Sequence, residues 1–248
     1  MVDNATPGFD PTQVTVRFPA ATVRPLDANI GFGRANNLAA EMATGSYLWL
    51  LNPDTLVPAD NDLGAVLGHL DHHPNCAAAS PLLLNEGGSA QPGQRAAFPS
   101  LPRMVAEKPA KVLSRLLPAT RGFFACISPD FSPVEEADVP VMVAASLFVR
   151  ATAFSEVEGF SPEFFMFLED SDLCRKFAAL GYRVRFVPRA NVVHLQGRSI
   201  RTQRERKRLY YASVDTYLTK WARPWDAAVA RALRAPFVLA YNTRRHRS

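Results

Sequence analysis

The tightest constraint on the fold of this chain is an alternation of hydrophobic periods. GRANNLAAEMATG (33–45) places apolar residues at Ala35, Leu38, Ala39 and Met42, the stripe of an amphipathic helix, and YLWLL (47–51) follows as an unbroken apolar run. The stripe buries one helical face, whereas a short continuous run suits a strand covered on both faces. The pattern then recurs. Leu63, Val66, Leu67 and Leu70 predict a helix, AAASPLLL (77–84) a strand, and VPVMVAASLFVR (139–150) another strand. ATAFSEVEGF reads as a short helix and turn, and DSDLCRKFAALG as a helix with inner stripe Leu173, Phe177 and Leu180, closed by Gly181. RVRFVP and NVVH are expected as two short strands, followed by a basic helix from Ile200 to Trp221. Such alternation predicts an α/β layer architecture.

A chain of 248 residues is long enough for a substantial core and fits one main domain with appendages. Residues 81–140 hold nine of the twenty prolines, which predicts a loop-rich insert over 85–138 with one helix near 103–117. Three cysteines without metal-type spacing read as free thiols in a reducing compartment. The start MVDNATPGFD has neither the basic region nor the apolar run of a signal peptide, and no run of about 18 apolar residues suggests a membrane span. Charge is unevenly placed. From Arg198 to Ser248 eleven Arg and two Lys face three acids, a net of +10, so the first 197 residues carry −5. A basic tail on an acidic body is suited to meeting anions.

FFMFLEDSDLCRKF (164–177) sets three acids, Glu169, Asp170 and Asp172, directly after five apolar residues. One reading is a capping cluster, since helix N-termini favour carboxylates. The apolar run suggests instead that the acids line a cleft wall. In LLNPDT (50–55), a buried strand ends so that Asp54 stands at the carboxyl edge of a sheet, where open α/β folds place ligands. A hard cation on a diphosphate needs only one or two carboxylates there; Asn-Pro-Asp is equally a turn. His194 closes the strand NVVH, either as a structural residue or as a group facing metal or phosphate.

These residues carry a resemblance. VDNAT (2–6), NIGFGRANN (29–37), LLNPDT, and the run LFVRATAFSEVEGFSPEFFMFLEDSDLCRKFAALGYRVRFVPRANVVH resemble, in order, the family 2 glycosyltransferases of GT-A fold, in particular the rhamnosyltransferase-like branch. The resemblance spans roughly residues 2–220. It implies a mixed, mostly parallel sheet flanked by helices in the Rossmann-like manner, truncated at the N-terminus by one strand and helix, with a basic C-terminal helical tail. It further implies that Asp3 contacts the nucleoside, Arg34 faces phosphate, and Asn36 and Asn37 line the donor pocket. Asp54 and His194 would bind a divalent metal, Mg or Mn. Asp170 would be the catalytic base and Glu169 its neighbour, with Asp172 left to helix capping. Two departures stand out: VMVAAS (141–146) replaces a small-residue S-G-A step, and Glu158 stands where relatives carry a second glycine.

The function implied is inverting transfer of a sugar, rhamnose in the branch resembled, from a dTDP- or UDP-linked donor to a glycan or lipid-linked acceptor in cell-envelope polysaccharide synthesis. The competing reading is a catalytically impaired GT-A-like binding or scaffold protein. The expected organisation is a glycosyltransferase domain over 1–222 and a basic amphipathic tail over 223–248. That tail suits an anionic membrane surface at the inner face of the cell membrane. Nucleic acid is not an expected partner, because no reading motif or aromatic stacking platform accompanies the basic residues.

Overall fold

The structure is a computed structural model. It describes residues 1–104, 116, 135–195 and 202–243, with the side chains at 234 and from 236 onward outside the description. The chain divides into two compact units, residues 1–98 with 131–206, and residues 99–130 with 207–248. Most of the proline-rich insert, including the helix expected near 103–117 apart from its first residues, lies outside the described residues.

In chain order the first unit contains β1 (Val2–Asp3), α1 (Pro11–Arg17), β2 (Arg24–Pro25), α2 (Phe32–Glu41), β3 (Tyr47–Leu51), β4 (Thr55–Leu56), α3 (Leu63–His72) and β5 (Cys76–Leu84). It continues with β6 (Arg95–Ala96), β7 (Ala137–Asp138), β8 (Val141–Met142), β9 (Ser146–Arg150), α4 (Ala151–Glu156), α5 (Glu169–Ala179) and β10 (Arg183–His194). Helix α6 (Gln203–Trp221) begins at its end, and α7 (Asp226–Thr243) belongs to the second unit.

The central sheet has the order β3-β9-β5-β10-β4, with β7 also on β10. Strands β5 and β10 pair in parallel, from Arg183 opposite Cys76 to Val193 opposite Leu84. Strand β9 lies antiparallel between β3 and β5, so those two point the same way as β10. Parallel direction thus holds for three of the four long strands. The pairings, however, are mainly antiparallel, because β9 is inserted and β4 and β7 reverse against β10. Strands β1 and β2 form a separate parallel pair.

Two strand expectations are corrected by specific hydrogen bonds. The run 139–150 is two strands because it changes partners: β8 pairs with β6, a ladder that ends with Val143 N–H on the Gln94 carbonyl at 3.0 Å, and β9 pairs with β3 and β5, starting from Asn52 N–H on the Ala145 carbonyl at 2.9 Å. Buried Gln94 also accepts from Leu83 N–H at 2.9 Å, tying this corner to β5. RVRFVP and NVVH are one strand, not two. Its register slips between Val187 and Asn191, around Pro188, which has no N–H to give. The Asn61 amide bridges the gap, accepting from Asn191 N–H at 3.0 Å and donating to its carbonyl.

The main core packs Leu147, Val149, Phe154, Phe160, Leu173, Phe177 and Phe186, and a second cluster on α3 contains Val66, Leu70, Phe148 and Val187. Helix α5 buries Leu173, Cys174 and Phe177, whereas Leu180 is exposed because the helix stops at Ala179. Cys76 and Cys174 are free and buried, and burial pushes their thiols up to about 11 and about 12, which makes them packing residues rather than nucleophiles.

Helix α4 ends in a turn built on Glu158 and Gly159. Glu158 N–H bonds to the Ser155 carbonyl at 2.9 Å and Gly159 N–H to the Phe154 carbonyl at 2.8 Å, the paired bonds of a Schellman closure. Both residues take left-handed backbone, Glu158 at φ 57° and Gly159 at φ 60°. A side chain at Glu158 opposes that conformation. Glu158→Gly is therefore expected to stabilise the protein by about 1 kcal/mol, read as a rise in the denaturant midpoint. Gly159→Ala should destabilise it, since an added Cβ would stand 2.6 Å from Asn37 Oδ1 and 2.9 Å from Phe154.

Candidate active site

The loop and first turn of α2 are built against the segment before α5. Gly31 has φ 92°, and a Cβ there would stand 2.5 Å from the Phe165 carbonyl oxygen, to which Phe32 N–H donates at 3.0 Å. Gly33 likewise leaves room for Phe160. Asn37 clamps Phe160 on both sides, donating to its carbonyl at 2.8 Å and accepting its N–H at 2.9 Å. Arg34 Nε donates to the Pro162 carbonyl at 2.9 Å, and Asn36 donates back to the Phe32 carbonyl at 2.9 Å. Three side chains expected along a donor pocket are thus engaged with backbone, and two of them join NIGFGRANN to EGFSPEFF.

Asp3 is buried, and its Oδ2 accepts from Thr6 N–H at 3.1 Å. The adjacent Asn4, which sequence reading passed over, holds the NIGFG loop. It accepts from Ile30 N–H at 2.9 Å and donates to Asn29 Oδ1 and the Gly31 carbonyl, each at 3.1 Å.

The run FFMFL is less of a core segment than its composition suggests. Phe164 is fully buried, but Phe165 is 40% exposed, and Phe167 and Leu168 take left-handed backbone at φ 71° and 61°. These two residues turn the chain sharply, so that α5 starts at Glu169 with no side-chain cap. Asp172 stands in the first turn of α5. It is fully buried and accepts from Ser161 Oγ at 2.5 Å, a further tie to the EGFS segment.

Glu169 and Asp170 differ in their partners. Glu169 is buried, its Oε2 has no hydrogen-bond partner, and burial followed by the Asp170 charge pushes its carboxyl up to about 8. Burial also raises Asp170, but the Ser171 N–H at 2.6 Å, the Ser171 hydroxyl and the Ala144 N–H oppose the rise. Donors aimed at a carboxylate favour its charged form.

The second cluster forms where β4 meets the end of β10. His194 pairs with Thr55 across the ladder, and the Asp54 carbonyl accepts from Leu195 N–H at 2.9 Å. The Asp54 and His194 side chains are only 14% and 12% exposed, and Asp54 Oδ1 stands 3.3 Å from His194 Nε2. The other ring nitrogen, Nδ1, is 3.1 Å from Gln91 Oε1. An amide oxygen only accepts, so Nδ1 donates to Gln91 while Nε2 faces the Asp54 carboxylate. Asn52 Oδ1, buried and without a hydrogen-bond partner, lies in the same amide whose Nδ2 is 3.4 Å from Nε2. This donor set fits a hard cation. Among the described residues no group of three or more His, Cys, Asp or Glu gathers at one point, so most of the shell would come from phosphate oxygens and water. Gln91 left no signal in the sequence. It sits in the hairpin after β5, where its N–H donates to the Leu83 carbonyl at 2.8 Å.

The small pair Ala144 and Ala145 lies beside both clusters: the Ala144 N–H is near enough to the Asp170 carboxyl to favour its charge, and the Ala145 carbonyl accepts from Asn52 N–H, two residues before Asp54.

Comparison with known proteins agrees with this architecture. Residues 12–124 match the family model "Glycosyl transferase family 2" and residues 133–241 match "Glycosyl transferase family group 2". The N-acetylglucosaminyl-diphospho-decaprenol L-rhamnosyltransferase of Mycobacterium tuberculosis is 26% identical, over 100% of this chain and 85% of its own length. Rhamnosyltransferase WbbL of Escherichia coli is 26% identical over 66% of this chain and 60% of its own. Among solved structures, GalNAc-T7 with UDP, GalNAc and Mn2+ superposes with a TM-score of 0.53 at 16% identity, covering 79% of this chain and 37% of that one. The mannosyltransferase PcManGT of Pyrobaculum calidifontis, with GDP-Man and Mn2+, gives 0.50 at 19% identity, over 98% and 69%. The central mixed sheet flanked by helices is the GT-A fold of these structures. The chain belongs to the family 2 glycosyltransferases.

Proposed function

We propose that this protein transfers a sugar, rhamnose, with inversion, from a dTDP- or UDP-linked donor to a glycan or lipid-linked glycan acceptor of the cell envelope. Two relatives with rhamnosyltransferase names support the sugar. The observation that carries the reading is the close, half-buried pair Asp54–His194 where β4 meets the end of β10.

In this reading Asp54 and His194 hold a divalent metal, Mg or Mn, on the donor diphosphate. The ion, when bound, supplies Lewis-acid neutralisation of the charge that grows on the departing diphosphate. Gln91 keeps the His194 proton on Nδ1, leaving Nε2 to face the diphosphate side. Asp3 orients the nucleoside. Asp170, with the Ser171 N–H and hydroxyl beside its carboxyl, takes the proton of an acceptor hydroxyl as that oxygen attacks the anomeric carbon. The new carbon–oxygen bond forms on the face opposite the diphosphate as the old one breaks. Glu169 has no side-chain donors, retains its proton near neutrality, and spares Asp170 a second negative charge nearby. Arg34, Asn36 and Asn37 act on the donor side by positioning the loop that carries them. Base assistance of this kind supplies about 10²–10⁴-fold.

Asp170→Asn is expected to lower kcat by about 10²-fold or more while nucleoside diphosphate binding, followed by calorimetry, stays near wild type. Glu169→Gln should retain most of the rate. Near-full transfer by Asp170→Asn would remove it as the base.

Nucleoside diphosphate titration in the presence of Mg or Mn tests the other cluster. Asp54→Ala and His194→Ala should each weaken metal-dependent binding by about tenfold or more, and Gln91→Leu by about tenfold, with metal-free binding unchanged. Absence of any metal-dependent binding in the wild-type protein would favour the scaffold reading.

Stability tests the proton on Glu169. Its carboxyl rises from 4.5 to about 8 on folding, so the folded chain keeps a proton that the unfolded chain releases in that window. Wild-type stability therefore falls as pH rises from about 4.5 to about 8, by at most about 1.4 kcal/mol per unit. Glu169→Gln should flatten that slope in urea melts at successive pH values. An unchanged slope would mean that Glu169 is ionised in the fold.

A further inference from the structure

Helix α7 has its polarity inverted relative to an ordinary surface helix. In its first two turns Asp226, Ala227 and Ala230 are buried. The opposite face should be polar if water covers it. Instead it carries Trp225 just before the helix, then Ala228, Val229, Ala232 and Leu233, all exposed, with no charged residue among them. The large members are 56%, 39% and 50% exposed for Trp225, Val229 and Leu233. They recur at i, i+4 and i+8, so they form one continuous apolar strip.

Charge stands at one end of the strip: the Arg223 guanidinium lies 5.6 Å from the centre of the Trp225 ring and 3.5 Å from the Asp226 carboxylate at the helix start, while exposed Arg231 lies on another side of the helix. The whole stretch from Arg198 onward carries a net charge of +10. No helix among the described residues is long and apolar enough to cross a membrane, so the strip does not belong to a spanning segment. An exposed apolar face with an indole and an arginine at one end is the chemistry of a helix lying in a lipid interface.

We propose that the Trp225–Val229–Leu233 face of α7 inserts into an anionic lipid surface, with Arg223 meeting the headgroups. Apolar burial and headgroup charge act together, so binding needs both. This inference is independent of the reaction proposed above. A lipid-linked acceptor would give it a use, but the face would bind lipid whether or not Asp170 is the base.

The test is flotation of the full chain with vesicles of phosphatidylcholine containing about one-third phosphatidylglycerol, against phosphatidylcholine alone. Wild type should float with the anionic vesicles, and less so as salt rises. Val229→Gln with Leu233→Gln should weaken that binding by about tenfold or more, with an unchanged thermal midpoint. As a second readout, vesicles should shift Trp emission to the blue in wild type, and Trp225→Phe should lose most of the shift while still floating. Undiminished flotation of the double variant would overturn the proposal, as would a blue shift that survives Trp225→Phe. So would a wild type that ignores vesicles but forms a concentration-dependent dimer lost in the double variant, which would assign the face to a second copy of this chain.

Discussion

The backbone of Ala144 and Ala145 is the constraint on which the candidate site depends. The Ala144 N–H lies near the Asp170 carboxyl and favours its charge, and the Ala145 carbonyl accepts from Asn52 N–H, which extends the β3–β9 register by one pair. At this point the run 139–150 changes partners, from β6 for β8 to β3 and β5 for β9. Larger side chains would crowd a place where both residues are buried. The change of partner leaves the Ala145 carbonyl satisfied. A cation-type cluster at the end of β10 and a carboxylate pair at the start of α5 thereby lie beside one piece of backbone.

A second layer of ties holds the loop before α2 to the turn after α4. Asn37, Arg34, Gly31 and Gly33 all engage residues 160–165. Their effect on chemistry runs through placement: they fix the approach to α5, whose first turn presents Glu169 and Asp170. Left-handed backbone at Phe167 and Leu168 adds strain at the same place, of the sort that persists only where the surroundings over-determine it.

Much of this was legible from periodicity. The stripe Val66–Leu70, the run YLWLL and the stripe Leu173–Phe177 named α3, β3 and α5, because burial of one face or two leaves a direct pattern. The ordered motifs pointed to the family. What periodicity does not record is the partner of a polar side chain across a hundred residues. Asn37 reads the same whether its amide meets a nucleotide or the backbone of Phe160, 123 residues away. Gln91 is an ordinary loop residue until the fold sets it 3.1 Å from His194. Backbone sign is equally silent: FFMFL looks like core, yet two of its residues turn through left-handed space, and Glu158 fills a position that favours glycine.

The most direct test of the account is paramagnetic broadening by Mn2+ in the presence of a nucleoside diphosphate, followed in the amide spectrum of the full chain. If the cluster at Asp54 and His194 and the carboxylate pair of α5 share one site, the amides of Asn52, Asp54, Ala144, Ala145, Asp170 and His194 should broaden together, and only when nucleotide and metal are both present. Broadening confined to residues 52–54 and 194, with Ala144, Ala145 and Asp170 untouched, would separate the two clusters and contradict the account.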